Sequence, residues 1–478
     1  MQQATIITSP ARSSLRRRTL SRRGLWLAAV GGAAAAAAGG VEAHRIRSVR
    51  RSPPAATIEL SSDPAGATVE VDGRARGRTP LALRVTPGVH RVSFRDAGAM
   101  ATDSTVRADA GHAVRSGATL WRSVPTAQPL RPPFPGTIIL GTDFLPDGDV
   151  VILAQPRAGG SSSLWRRHTD GSMVRLGPVA TPGPSAPRPD GRAIAYLAPT
   201  TVAAPDATIT TALTALWTAQ VDGGAATARY TLSPAQPGEQ LADLTWSPDG
   251  AHVLLVTHRD GAGGALSRLL WIDPRTGAAR SIAELPAAIV PGSLSWGPDG
   301  ASVALLTQTG PLVSLCLADV RTRAFRYLAD LGQRDPTALP YPPIAWSPDG
   351  QQVVYTAATR DRATGLGGVL VGEQTVDILY TAGAHAGEGR VLDPKPAAAP
   401  VWRDGGDILA LARQSGGTVA LDQLAPSGRR TPAVGRLPVA PASPYAVRWD
   451  AAQARALLVQ HDDVGLAGWV LSFEMAGR

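Results

Sequence analysis

The sequence is poor in the residues on which much protein chemistry is built. Its 478 residues contain one cysteine, one lysine, four methionines and no asparagine. A single cysteine excludes an intrachain disulfide and a cysteine metal cluster. Cys316 stands in the apolar run Val313-Ser314-Leu315-Cys316-Leu317, where a buried structural thiol is expected. The single lysine, Lys395, lies between two prolines. A phosphate-binding loop needs Gly-Lys-Ser/Thr and a protein kinase needs a lysine inside a strand, so both are excluded. No Gly-x-Ser-x-Gly elbow is present, and the eight histidines show no zinc-ligand spacing such as His-Glu-x-x-His. Asp143, Asp147 and Asp149 form an acidic triplet without the glycine and terminal glutamate of a calcium loop, so a turn-capping role is expected for Asp147. On these grounds no catalytic, cofactor-binding or metal-ligating residue is assigned and no cofactor is expected.

Long hydrophobic runs are scarce too. One apolar stretch, Gly24 to Val41, follows Arg16-Arg17-Arg18 and Arg22-Arg23. Ser21-Arg22-Arg23-Gly24-Leu25-Trp26-Leu27 resembles a twin-arginine export signal, and Val41-Glu42-Ala43 fits a small-x-small cleavage site. The alternative is an uncleaved signal-anchor helix, since about eighteen apolar residues just span a bilayer. Either reading of residues 1–51 places the body outside the cytoplasm, exported or held to the membrane by its N-terminal segment. The formal charge of +9 belongs to the same tail, because residues 1–51 hold ten arginines and one acidic residue, Glu42, and the remainder is balanced. The globular body therefore gives no reason to expect a nucleic-acid partner.

Helical periodicity is scarce after residue 45, while 51 glycines and 41 prolines punctuate short Val/Leu/Ile runs. An all-β chain is expected. Residues 57–122 read as a small β domain. Alternation is visible in Thr68-Val69-Glu70-Val71 and Leu81-Ala82-Leu83-Arg84-Val85, with turns at Asp72-Gly73 and Pro87-Gly88. Pro64-Ala65-Gly66-Ala67, Val69-Glu70-Val71-Asp72-Gly73, Gly77-Arg78-Thr79-Pro80 and Pro87-Gly88-Val89-His90 closely resemble the motifs of the PEGA domain, with Ala65 where that family usually has glutamate. The resemblance implies a small β-sandwich of envelope or secreted proteins with no catalytic residues to carry over, and a structural role for His90. Five prolines in residues 123–136 suggest a stiff linker.

The rest of the chain repeats one phrase. Trp246-Ser247-Pro248-Asp249-Gly250 recurs as Trp296-Gly297-Pro298-Asp299-Gly300 and Trp346-Ser347-Pro348-Asp349-Gly350, at intervals of 50 residues. Weaker copies centre on Phe144 and Asp147, on Asp190, on Trp402 and Asp404, and on Trp449. Proline fixes φ, aspartate caps its own turn and glycine takes positive φ, so each phrase is a tight turn between two strands. The Trp ring is expected to wedge between neighbouring units. A second hairpin follows in each unit, which makes four short strands per copy, the pattern of a propeller blade. Residues 137–478 resemble the TolB-like, WD-repeat-related β-propellers. Seven blades are expected, or six if the Asp190 copy is an insertion, with Thr137-Ile138-Ile139-Leu140 completing the last blade.

The turns between second and third strands must lie on the face opposite the Pro-Asp-Gly turns. They bring His258, Arg259 and Asp260, Arg360, Asp361 and Arg362, and His461, Asp462 and Asp463 to one rim, a candidate partner-binding surface. The combination implies a non-enzymatic cell-envelope scaffold or binding protein whose propeller presents a face to an envelope protein or cell-wall glycan. The alternative is an enzyme or small-molecule binder using the mouth of the central tunnel.

Overall fold

The computed structural model describes residues 55–158, 162–176, 183–199, 213–232, 238–261, 264–333, 344–364, 370–384, 389–395, 397–413, 419–437, 445–450, 454–462 and 465–475. All the regular structure in them is β, and no helix among the described residues is long and apolar enough to cross a membrane. The signal or anchor expected in residues 1–51 lies outside the described residues.

Residues 56–119 form a two-sheet sandwich. One sheet pairs Leu81–Val85, Ala56–Asp63 and Ala113–Thr119; the other runs through Arg74–Arg78, Thr68–Val71, Gly88–Arg95 and Thr102–Ala108. Ile58, Val69, Val71, Val92 and Phe94 alternate inward to fill the space between them. The motifs of this domain are side-chain clasps. Thr79, buried, accepts the backbone N–H of Gly66 and Ala67 at 3.0 and 3.1 Å and so ties Gly-x-Thr-Pro to the Pro-Ala-Gly-Ala loop. Asp72 opens the Asp-Gly hairpin turn with φ of 52°, followed by Gly73 at 74°. Its carboxylate accepts the N–H of Arg91 at 3.0 Å and faces Nδ1 of His90 at 2.7 Å. Nε2 of His90 faces the carbonyl of Thr86, also at 2.7 Å. His90 is therefore structural, as the motif implied.

Among the described residues seven antiparallel sheets follow, one per blade: six have four strands, and that of blade 4 has five because its inner edge is made of two short segments. Their innermost segments are Thr137–Phe144, Ser185–Pro187, Gln240–Trp246, Ser295–Trp296 (preceded by Ala288–Ile289), Ile344–Trp346, Ala398–Trp402 and Tyr445–Asp450. The Asp190 copy is thus a blade and not an insertion. Two expectations need correction. Thr137-Ile138-Ile139-Leu140 does not complete the last blade; it begins the inner strand of blade 1. The closing strand is Trp121–Leu130, which pairs antiparallel with Gly465–Glu474 from Gly468↔Leu130 to Glu474↔Trp121. Part of the expected linker is therefore the outer strand of blade 7. An outermost strand needs its N–H groups on one side only, so Pro125 and Pro129 are tolerated there. Pairing it hides the edge of Gly465–Glu474.

The sandwich leads into that closing strand and is docked on the propeller by buried polar contacts. Nη2 of Arg403 and Nε2 of Gln423, both in blade 6, donate to the carbonyl of Ala101 at 2.9 and 2.5 Å. Asp407, buried, accepts Nε of Arg403 at 2.9 Å and Nε2 of Gln423 at 2.7 Å. The Arg403 guanidinium lies 5.8 Å from the ring centroid of Trp121, and Trp121 joins Met100, Leu458 and Phe473 in one core.

The His90 clasp makes the sandwich pH-sensitive. The hydrogen bond to Asp72 and then that to Thr86 raise the imidazole's affinity for its proton above the ordinary value, against a smaller effect of burial. Stabilisation from a raised histidine is fully present below about pH 6.5, the unfolded value, and is lost as pH rises through the folded one. The midpoint of the unfolding of the sandwich in urea should fall between pH 6 and 8.5 in the native chain and fall less in His90→Gln. An imidazole of His90 that titrates below 6.5 by NMR would contradict this account.

Candidate functional site

The repeated phrase builds one end of the central channel. In each strong copy the aspartate accepts the N–H two residues on: Asp249 from Ala251 at 2.9 Å, Asp299 from Ala301 at 2.9 Å and Asp349 from Gln351 at 3.0 Å. Gly250, Gly300 and Gly350 follow with φ of 65°, 61° and 68°, where a side chain would be strained. Asp147 and Asp190 do the same for Asp149 and Arg192. Asp404 does not. The turn of blade 6 closes from Gly406 N–H to the carbonyl of Arg403, as Gly250 does to Ser247. Gly405 therefore takes the aspartate position, and Asp404 stands where the other copies have proline.

Each aromatic residue of the phrase enters the seam with the preceding blade. Trp246 packs with Ala195 and Leu216 of blade 2, Trp296 with Leu254 and Val256 of blade 3, and Trp346 with Leu306 and Leu315 of blade 4. Three indoles also bond across the seam. Nε1 of Trp246 donates to Ala186 at 3.1 Å, that of Trp346 to Ser295 at 3.1 Å and that of Trp449 to Ala399 at 3.2 Å. The indole N–H groups of Trp296 and Trp402 are buried without a partner.

Because strand side chains alternate, the residue before each aromatic must face the other way, into the channel. In the order of the blades these are Asp143, Thr245, Ser295, Ala345, Val401 and Arg448, with Ala186, which precedes Pro187, in the corresponding place of blade 2. All seven line two cavities of about 440 and 480 Å³ that share Trp296 and Trp449. Most of this ring is small or neutral. Its charges are Asp143 in blade 1 and Arg448 in blade 7, joined by Asp243, two positions further along the same face of the inner strand of blade 3. Burial pushes Asp243 up to about 6, against hydrogen bonds from Gly292 at 2.7 Å and Leu244 at 2.9 Å and the nearby Arg448 charge. Burial also raises Asp143, a half-buried residue of the channel wall; Arg448 pulls it down and Asp450 pushes it up. Among the described residues no group of three or more His, Cys, Asp or Glu side chains is placed to hold a metal ion.

The channel mouth continues outward. Ser347, Pro348, Trp402 and Asp404 are also walls of a cleft of about 610 Å³, roofed by Arg91, Asp103, Ser104 and Thr105 of the sandwich. Asp103 holds Arg91 and, at 3.1 Å, Arg429 of blade 6 along that cleft.

The rim residues lie elsewhere. His258, Arg259 and Asp260 end a strand of blade 3, Arg360, Asp361 and Arg362 lie within the long Gln352–Thr364 strand of blade 5, and His461 and Asp462 end a strand of blade 7. Asp463 is outside the described residues. The fold brings these groups to alternate blades and not into one cluster. His258 bonds locally to Asp260 at 3.2 Å, and His258, Arg259 and Asp260 line none of the four cavities described. Arg448 and Asp243 belong to no motif; their position relative to the tryptophans is the sequence signal that marks them. Asp143 was weighed only as a calcium ligand.

Fold and site together define a class: a seven-bladed β-propeller carrying a small β-sandwich over an open, aromatic channel mouth. Residues 55–123 match the PEGA domain family. No curated protein matches the chain. Among solved structures, the chain is similar to an oligogalacturonate lyase from Vibrio parahaemolyticus, at 11% identity over 74% of this chain and 98% of that one with a TM-score of 0.48. It is similar to TolB from Acinetobacter baumannii at 15% identity, over 71% and 80%, with a TM-score of 0.33. The propeller domain of the Trilobed protease from Pyrococcus furiosus matches at 11% identity, over 72% and 97%, with a TM-score of 0.41. At these values the propeller assignment rests on the strand topology itself.

The seam bonds give a differential prediction. Trp346→Phe removes an indole donor and leaves the Ser295 carbonyl unpaired, whereas Trp402→Phe removes a donor that had no partner. Both lose similar ring volume, so Trp346→Phe should be the more destabilised by about 1 kcal/mol, read from denaturant midpoints. Equal losses would remove the seam bond as a contributor.

Proposed function

We propose that the protein is a non-enzymatic binding and scaffold protein of the cell envelope, held outside the cytoplasm, that engages a protein or glycan partner. The PEGA match and the export-type N-terminus support the location. The observation that carries the binding reading is the continuity of the channel mouth with the cleft under the sandwich, through Ser347, Pro348, Trp402 and Asp404. Cavities at domain junctions lined by aromatic groups with a few charges are where partners and ligands are usually held. The binding face is then the Pro-Asp-Gly face, in place of the opposite rim.

Affinity capture from envelope extracts should lose its partner with Asp404→Arg and keep it with a triple alanine variant of His258, Arg259 and Asp260. The opposite pattern would return the site to the rim. Location is read separately: residues 1–50 fused to a reporter active only after export should yield activity, and a cytoplasmic reporter would sink that part. The second reading, an enzyme or small-molecule binder at the channel mouth, is favoured by the convergence of Asp143, Asp243 and Arg448. Two carboxylates and one guanidinium give it a polar focus.

A further inference from the structure

Arg448 is the cation of the channel ring, and its hydrogen-bonding capacity is open. Among the described residues it makes no hydrogen bond and no ion pair, although a guanidinium carries five N–H donors. It reaches across the channel toward blade 4, where a Cβ built on Gly292 would stand 3.6 Å from its Nη2. The two acids within its electrostatic reach are otherwise engaged or set apart. Asp243 already accepts two backbone N–H groups, from Gly292 and Leu244, and Asp143 accepts that of Phe144 at 2.9 Å. Other half-buried arginines of the propeller have partners: Arg268 has Glu239, Arg430 has Asp393 and Asp422, and Arg229 has Thr218. Arg448, half-buried, instead lines the accessible cavity.

We infer that Arg448 receives the C-terminal carboxylate of an extended peptide entering the channel mouth between the tryptophans. This rests on the binding reading above and names its ligand. A planar fork of donors matches a carboxylate in bidentate fashion. A monoanion suits the site better than a phosphate, because Asp143 and Asp243 stand close enough to repel a dianion. A chain end fits better than an acidic side chain, since blades surround the guanidinium and a terminus reaches it end-on. The aromatic and proline walls, Trp296, Trp449 and Pro298 among them, supply the apolar surface that extended peptides use.

The test uses the purified full chain and the change of its tryptophan fluorescence with four probes: acetyl-tetraalanine with a free C-terminus, the same peptide as its C-terminal amide, an amidated peptide carrying one internal glutamate, and inorganic phosphate. The free acid should bind saturably and at least tenfold more tightly than the other three. Arg448→Gln should reduce the acid to the level of the amide, and Arg448→Lys should retain part of the difference. Acid and amide binding alike, both lost in Asp404→Arg, would leave the binding face standing and overturn the carboxylate assignment. Equal binding of the glutamate peptide would overturn the chain-end assignment. Absence of binding by the free acid to the native chain would overturn the inference on its own, while the capture experiment reads the face independently. The acid–amide comparison is made on the native chain, so it holds even if a variant fails to fold.

Discussion

The structure depends on one alternation. In every blade the inner strand ends with a residue packed into the seam and, one position earlier, a residue facing the axis. Strand geometry permits nothing else, since successive side chains point to opposite sides. The aromatic ring therefore fixes two things at once. It fills the wedge between blades, where a large apolar surface is removed from water at roughly 25 cal/mol per Å². It also decides which neighbour is presented to the channel. Blade 2 has no aromatic here: Ala186 and Pro187 stand at these two positions, and both line the cavity.

The same alternation explains what was legible in the sequence. Turn chemistry and period are local, so the Trp-Ser-Pro-Asp-Gly copies disclosed hairpins, blades and their number without any contact being known. The PEGA motifs were legible for a related reason: Asp72, Thr79 and His90 bond to backbone groups within a few strands, so their spacing is constrained. Two things were not legible. The closing strand came from residues 121–130, because prolines that would break a central strand are harmless on an outermost one, and composition alone cannot tell an edge strand from a linker. The turn of blade 6 was misaligned by one residue, because Asp404-Gly405 imitates the usual Asp-Gly pair while the backbone uses Gly406 for the positive φ of 83°.

The site was less legible than the fold. Its charges come from blades 1, 3 and 7, which are far apart in sequence, and none belongs to a recognisable motif. Reading down the column before each tryptophan would have shown Asp143 and Arg448 against a background of Ala, Thr, Ser and Val. Charged loop tips drew attention to the opposite rim, but His258 and Asp260 are satisfied locally, as solvated strand ends commonly are. An unusual residue in an otherwise neutral repeat column is a stronger pointer than a cluster of charges on exposed turns, because the column is enclosed and each charge in it must be offset or used.

The position of the sandwich adds the last step. It is joined to the propeller twice, through the closing strand of blade 7 and through the buried Arg403–Asp407–Gln423 group that grips Ala101. A buried ion pair is weak evidence for stability, since desolvation offsets much of its attraction. It does fix geometry, because either charge alone would be stranded. Arg403 and Asp407 stay neutralised only while the blade 6 turn keeps its shape, and the same turn forms the wall shared by the channel mouth and the cleft. The domain that roofs the cleft and the blade that shapes it are thus held by one set of hydrogen bonds.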